Sequence, residues 1–235
     1  MRARRVRALL MGGQACVFYG AAEFSRDTDF AILADAANLV RLRKALDDLR
    51  ARVIAVPPFE MKYLRKGHAI HFRCQHPDAA GLRVDVIARM RGVDSFPKLW
   101  RRRTVLELPG GLRCDLLSLP DLVQAKKTQR DKDWPMIRRL VEAHYFQNRD
   151  RATSVQIAFW LRELRTPELL VEVAQENPQL CRRLAQTRPL LARAARGQIA
   201  DVESALLIEE QAVREQDRQY WQPLRRELEN LRRNC

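Results

Sequence analysis

Apolar and polar positions alternate on two different periods along this chain, and the change of period divides it. In the first half, short apolar runs are broken by polar and turn-forming residues, the signature of strands mixed with helices. VRALLM (6–11) predicts a strand, and Gly12-Gly13 breaks it before a helical segment from Gln14 to about Ala21. DTDFAIL (27–33) predicts a second strand. Asp35 is placed to cap a helix running to Arg50, in which Leu39, Val40, Leu42, Leu46 and Leu49 fall near helical spacing. RVIAV (52–56) reads as a third strand ended by Pro57-Pro58, and HAIHFRC (68–74) with LRVDVIAR (82–89) as a hairpin. TVLELPGGLRCDLL (104–117) is a second hairpin, turned by Pro109-Gly110-Gly111.

From Leu119 onward only helical periods remain, at 120–130, 134–147, 153–164, 167–175, 178–195 and 200–232. Tyr220, Trp221, Leu224, Leu228 and Leu231 form one apolar stripe of the last, which reads as core. The expected fold class is α+β (α/β): a small mixed β-sheet core flanked by helices, followed by an all-α C-terminal region. No internal repeat or low-complexity tract interrupts it.

Charge changes the picture. The 235 residues carry 43 Lys+Arg against 29 Asp+Glu, a net +14. Residues 151–235 hold 14 basic and 12 acidic groups, which leaves 29 basic and 17 acidic in the first 150. An excess of +12 confined to one region points to a polyanionic partner there. No stretch approaches the ~20 apolar residues of a membrane span, and the basic N-terminus leads into an apolar run shorter than a secretory core. A cytoplasmic protein with no membrane partner is expected. The cysteines Cys16, Cys74, Cys114, Cys181 and Cys235 are scattered and odd in number, which argues against a disulfide framework or a structural zinc site.

Three carboxylates carry the chemistry. Asp27 and Asp29 stand at i and i+2 of a predicted strand and so share a face. Asp85 interrupts the otherwise apolar LRVDVIARM, where a carboxylate has no packing role. If the strands adjoin, like charges so close demand a cation, and Mg²⁺ suits oxygen ligands of this kind. Taken singly, Asp27-Thr28-Asp29 also fits a turn and cap cluster, and Asp85 also fits a pair with Arg83 or Arg73. His68, His71, Cys74 and His76 lie close in sequence, but strand parity separates His71 from His68 and Cys74. Trp100 beside Arg101, Arg102 and Arg103 fits either a stacking platform for RNA or a solvated basic turn.

Taken together, Met11-Gly12-Gly13, then 13 residues, then Asp27-Thr28-Asp29-Phe30, then Asp85, resembles the polymerase-β-like nucleotidyltransferase superfamily. The stretch LPDLVQAKKTQRDKDWPMIRRL (119–140) resembles the Asp-Leu-x-x-x-Lys and Arg-x-Lys-Asp pattern of bacterial toxin-like nucleotidyltransferases, at Asp121, Leu122, Lys126, Arg130, Lys132 and Asp133. The resemblance covers about residues 6–145. Glu23 stands where relatives carry Arg, Ser25 where they carry Thr, and Gly13 where they carry Ser.

The resemblance implies a catalytic core over 1–118, a helical substrate- and phosphate-binding segment over 119–150 and a helical region over 151–235. It implies transfer of NMP from an NTP to an acceptor hydroxyl with release of pyrophosphate, using two Mg²⁺ ions. Asp27, Asp29 and Asp85 are the implied metal ligands and catalytic residues. Gly12, Gly13, Ser25, Lys126 and Arg130 are the implied nucleotide-binding residues. Lys126 and Arg130, four apart, are expected on one helix face, and Asp133 is placed to cap the next helix. The charge excess favours RNA such as tRNA as acceptor, and the toxin-like relatives imply an antitoxin partner. Two alternatives stand beside this: a catalytically silent RNA-binding or regulatory protein of the same fold, and an enzyme that nucleotidylates a small molecule or a protein.

Overall fold

The computed structural model describes residues 1–233, and Cys235 lies outside them. The chain forms two compact units, one of Met1–Ala125 together with the chain from Gln219 onward, the other of Lys126–Arg218.

In the first unit β1 (Ala8–Met11) runs directly into α1 (Gly12–Phe18). There follow β2 (Asp27–Ile32), α2 (Ala36–Asp48), the two-residue β3 (Arg52–Val53), α3 (Met61–Lys66), β4 (Ile70–Arg73) and β5 (Arg83–Ile87). The series continues with α4 (Phe96–Arg101), β6 (Thr104–Leu108), β7 (Leu112–Leu116) and α5 (Leu119–Lys126). The seven strands form one mixed sheet in the order β3-β4-β5-β2-β1-β7-β6. Among the described residues only β2/β5 and β1/β7 are parallel pairs. Both expected hairpins form, β4 against β5 and β6 against β7.

One face of the sheet is dry. Ala8 and Ile32, Ile70 and Phe72, and Val84 and Val86 alternate inward and pack with Leu42, Ala45 and Leu46 of α2 and Tyr63 and Leu64 of α3. Leu231 of the last helix packs against the same core. Asp35 caps α2 as its position predicts, its carboxylate accepting from the Asn38 backbone N–H at 2.6 Å. Asn38, fully buried, accepts from the Arg7 N–H at 2.7 Å and donates to the carbonyls of Arg7 and Leu33. That side chain fixes the ends of β1 and β2 to each other.

The second unit is helical: α6 (Asp133–Asn148), α7 (Ser154–Glu163), α8 (Pro167–Glu176), α9 (Pro178–Leu184), α10 (Leu191–Ala194) and the beginning of α11 (Ile199–Arg233). Thr153 and Gln156 close a capping box at the head of α7. The single helix expected over 178–195 is divided. Pro189 disfavours helical backbone at Arg188 and offers no N–H. Arg188 is instead buried and donates to the carbonyls of Leu161 and Leu164 and to Glu209. An α+β architecture with a mixed sheet flanked by helices and a helical C-terminal region is therefore present. Among the described residues no helix is long and apolar enough to cross a membrane.

Candidate active site

The other face of the first unit's sheet, buried at Leu9 and Ala31 and polar beyond them, carries the predicted acids. Since β2 buries Phe30 toward the core side, its alternate residues Asp27 and Asp29 project to the other face. The register is specific. Asp29 stands opposite Met11 on β1 and opposite Asp85 on the parallel strand β5, while Asp27 stands opposite Arg83. Directly opposed residues share a face, so three carboxylates from two neighbouring strands gather on one side of the sheet. All three are partly covered rather than exposed.

Gly12 and Gly13 adjoin this group. Gly12 has φ +66, and a Cβ built there would lie 1.8 Å from Asp29 Oδ2. The Asp29 carboxylate thus rests on the bare Cα of Gly12, a contact no other residue permits. A Cβ on Gly13 would lie 2.3 Å from Ser25 Oγ. Ser25 Oγ donates to the Asp27 carbonyl at 3.2 Å, and Gln14 Nε2 donates to the Ser25 carbonyl at 2.8 Å. The two glycines therefore hold the loop before β2 tightly against α1, and Ser25 closes over the second of them.

Asp85 is not a bare ligand. Arg83 Nε and Nη2 reach Oδ1 and Oδ2 of Asp85, each at 3.0 Å, a two-point fork, and His71 Nδ1 lies 2.9 Å from Oδ1. Burial pushes the Asp85 carboxyl up, but the hydrogen bonds and charges of His71 and Arg83 outweigh it and hold the group below the usual carboxylate range. The bond to Asp85 raises the Arg83 guanidinium in turn, helped by the charges of Asp27 and Asp29. Arg83 was visible in the sequence only as a candidate partner for Asp85. Strand parity set His71 apart from His68 and Cys74, but its contact with Asp85 arises from pairing β4 against β5 and could not be read from the sequence.

For Mg²⁺ the fit is good in the backbone and partial in the side chains. Three aspartates share a face and the cradle at Gly12 presses Asp29 into place. Yet among the described residues no group of three or more His, Cys, Asp or Glu side chains converges to hold an ion. The Asp85 carboxylate is instead engaged by the Arg83 fork.

Lys126 and Arg130 belong to the second unit. They do not share a helix face as their spacing predicted, because α5 ends at Lys126 and Arg130 lies in the loop before α6. Both converge instead on Asp133, with Lys126 Nζ at 3.1 Å, Arg130 Nε at 2.7 Å and Thr128 Oγ1 at 2.5 Å. Asp133 is the first residue of α6 rather than its cap, and it is buried, with 1% of its surface exposed. Trp100 stacks on Phe96 and has the Arg103 guanidinium 4.2 Å and that of Arg7 5.6 Å from its ring centroid.

Neither a protein-family model nor a curated protein matches the chain. Its function therefore rests on the geometry of the sheet face.

Proposed function

We propose that the first unit is a Mg²⁺-dependent nucleotidyltransferase of the polymerase-β-like type, moving NMP from an NTP to an acceptor hydroxyl. The register of Asp29 beside Asp85, with Asp27 on the same face, carries this reading. The ions, held by Asp27 and Asp29 and completed by Asp85, would supply charge neutralisation for the phosphates and the leaving pyrophosphate. The chain's own part is positioning. Gly12 fixes Asp29, and Ser25 and Gln14 fix the loop that leads to Asp27. The acceptor oxygen bonds to the α-phosphorus, the bond from that phosphorus to the bridging oxygen breaks, and pyrophosphate departs with the electron pair. Asp85, kept ionised by Arg83 and His71, orients the acceptor hydroxyl as a hydrogen-bond acceptor. Its lowered pKa makes it a weak base, so the proton passes on to solvent. Lys126 and Arg130 are held on Asp133, and the proposed chemistry of the first unit does not draw on them.

A second reading is favoured by the Arg83 fork: a protein of this fold that binds nucleic acid without turnover, its third carboxylate neutralised internally. Incubation with α-labelled NTPs, Mg²⁺ and total tRNA separates the two. Label in RNA that disappears in Asp27→Asn supports the enzyme. Label in the protein or in a small acceptor redirects the acceptor class, and absence of transfer to any acceptor sinks the enzymatic reading.

A further inference from the structure

Across the face that carries the aspartates, the register lines up a row of which the active-site reading uses only Asp27 and Arg83. Arg52 on β3 stands opposite Arg73 on β4, Arg73 stands opposite Arg83 on β5, and Arg83 stands opposite Asp27 on β2. The four residues therefore form one line on the face that carries the aspartates. With strands about 5 Å apart, the three arginines extend the line some 15 Å away from Asp27. Like charges directly opposite each other destabilise a sheet, so a row of three needs a reason.

Arg83 has one, in Asp85. Arg52 and Arg73 are exposed, and no carboxylate among the described residues pairs with either. Charge on an edge strand often serves to block strand addition, and that would account for Arg52. It does not account for Arg73, because β4 lies between β3 and β5. The row also lies within the region that carries the +12 charge excess.

We propose that Arg52 and Arg73 form a phosphate track that holds the backbone of an RNA acceptor and leads its end to the Asp27–Asp29 face. A bound NTP needs positive charge beside the aspartates, where Arg83 stands. A line that continues two strands further matches a ligand whose phosphates repeat. That the bound strand is the acceptor rests on the nucleotidyltransferase reading; the track itself does not.

The test is fluorescence anisotropy with a labelled single-stranded RNA, without NTP or Mg²⁺, over a range of salt concentrations. The double variant R52Q/R73Q is expected to bind at least tenfold more weakly and to flatten the slope of log K against log salt by about 1.4, from two lost phosphate contacts at roughly 0.7 each. R182Q/R183Q, which neutralises two exposed arginines of α9, should leave that slope unchanged. The proposal is overturned if R52Q/R73Q keeps the wild-type slope, if both doubles lose equally, or if the wild-type chain binds no RNA. A rise in KM for NTP with RNA affinity intact would assign the row to the triphosphate and also overturn it. Asp27→Asn should bind RNA like wild type. A slope difference that persists where no transfer occurs keeps the track and discards the enzyme, and transfer to RNA with an unchanged slope does the reverse.

Discussion

Replacing Gly12 by Ala tests the seat of Asp29 directly. Two costs arise, and the molecule contains a control for one of them. An alanine held at φ +66 costs roughly 1–2 kcal/mol in the left-handed region, offset by about 0.4–1 kcal/mol from a stiffer unfolded chain. Gly81 has φ +79 with nothing within 4 Å of its would-be Cβ, so Gly81→Ala meets that backbone cost alone, a net of about 1 kcal/mol. At Gly12 the Cβ would fall 1.8 Å from Asp29 Oδ2, and real Cβ atoms keep about 3 Å, so the carboxylate must retreat by about 1.2 Å. Forcing Asp29 off its rotamer adds about 0.5–1.5 kcal/mol. At roughly 2–4 °C per kcal/mol for a chain of this size, G81A should lower the melting temperature by about 2–4 °C and G12A by about 3–10 °C. Thermal unfolding followed by circular dichroism measures both. A displacement of about 1 Å at a reacting centre also predicts a loss of transfer near a hundredfold in G12A, with G81A close to wild type. If G12A melts no lower than G81A, Asp29 is not pressed on Gly12 and the account of the glycine pair fails.

Other consequences are as specific. Asn38→Ala leaves the Arg7 N–H and the Leu33 carbonyl without that partner in a buried site, and should destabilise the chain by about 2–4 kcal/mol in urea unfolding. Asp133→Ala strands Lys126, itself largely covered, and should cost about 3–5 kcal/mol. Burial pushes the Asp133 carboxyl up, but Lys126, Thr128 and Arg130 more than offset this and hold it below the usual range. Its folded pKa is thus below the unfolded value of about 4, so its contribution is complete above that pH and is lost as pH falls through the folded value. Asp133→Asn should therefore flatten the decline of melting temperature below pH 4. Arg83→Gln frees the Asp85 carboxylate from its fork and should tighten Mn²⁺ binding, measured by electron paramagnetic resonance, about fivefold, the equivalent of the roughly 1 kcal/mol between unit charges 4 Å apart in water. Unchanged or weaker Mn²⁺ binding would mean that the fork does not compete with a cation.

The apolar pattern alone located most of the sheet: β4 and β5 alternate over one buried face, whereas β1 is a continuous apolar run. It also put Asp27 and Asp29 on a common side, since parity needs no knowledge of neighbours. What it could not supply was pairing. The opposition of Asp85 to Asp29 depends on which strands adjoin. The contact of His71 with Asp85 depends on side chains meeting across β4 and β5, whereas Arg83 reaches Asp85 along the same strand. The same limit explains α5. The run 120–130 has helical composition throughout, yet the helix ends at Lys126, and Lys126, Thr128 and Arg130 meet on Asp133, a contact the sequence does not show. Other boundaries are written in single residues. Ser95-Phe96-Pro97 has the Pro-in-first-turn pattern of α4, and Pro189 marks the break after α9. The two-residue β3 shows the opposite error, since RVIAV has strand composition but only Arg52 and Val53 find a partner strand.

Near the chain's end, Glu227 Oε2 lies 2.9 Å from Nε2 of His68, and Glu227 also bonds Lys66. His68 is almost fully buried at the approach to β4, and its partner lies 159 positions further on. During synthesis, which proceeds at about 5–20 residues per second, the strands bearing the aspartates leave the ribosome first and must wait for residues made long afterwards. The unit begun earliest is thus completed last, and a ribosome stalled before Gln219 would leave that imidazole with no acid to meet it.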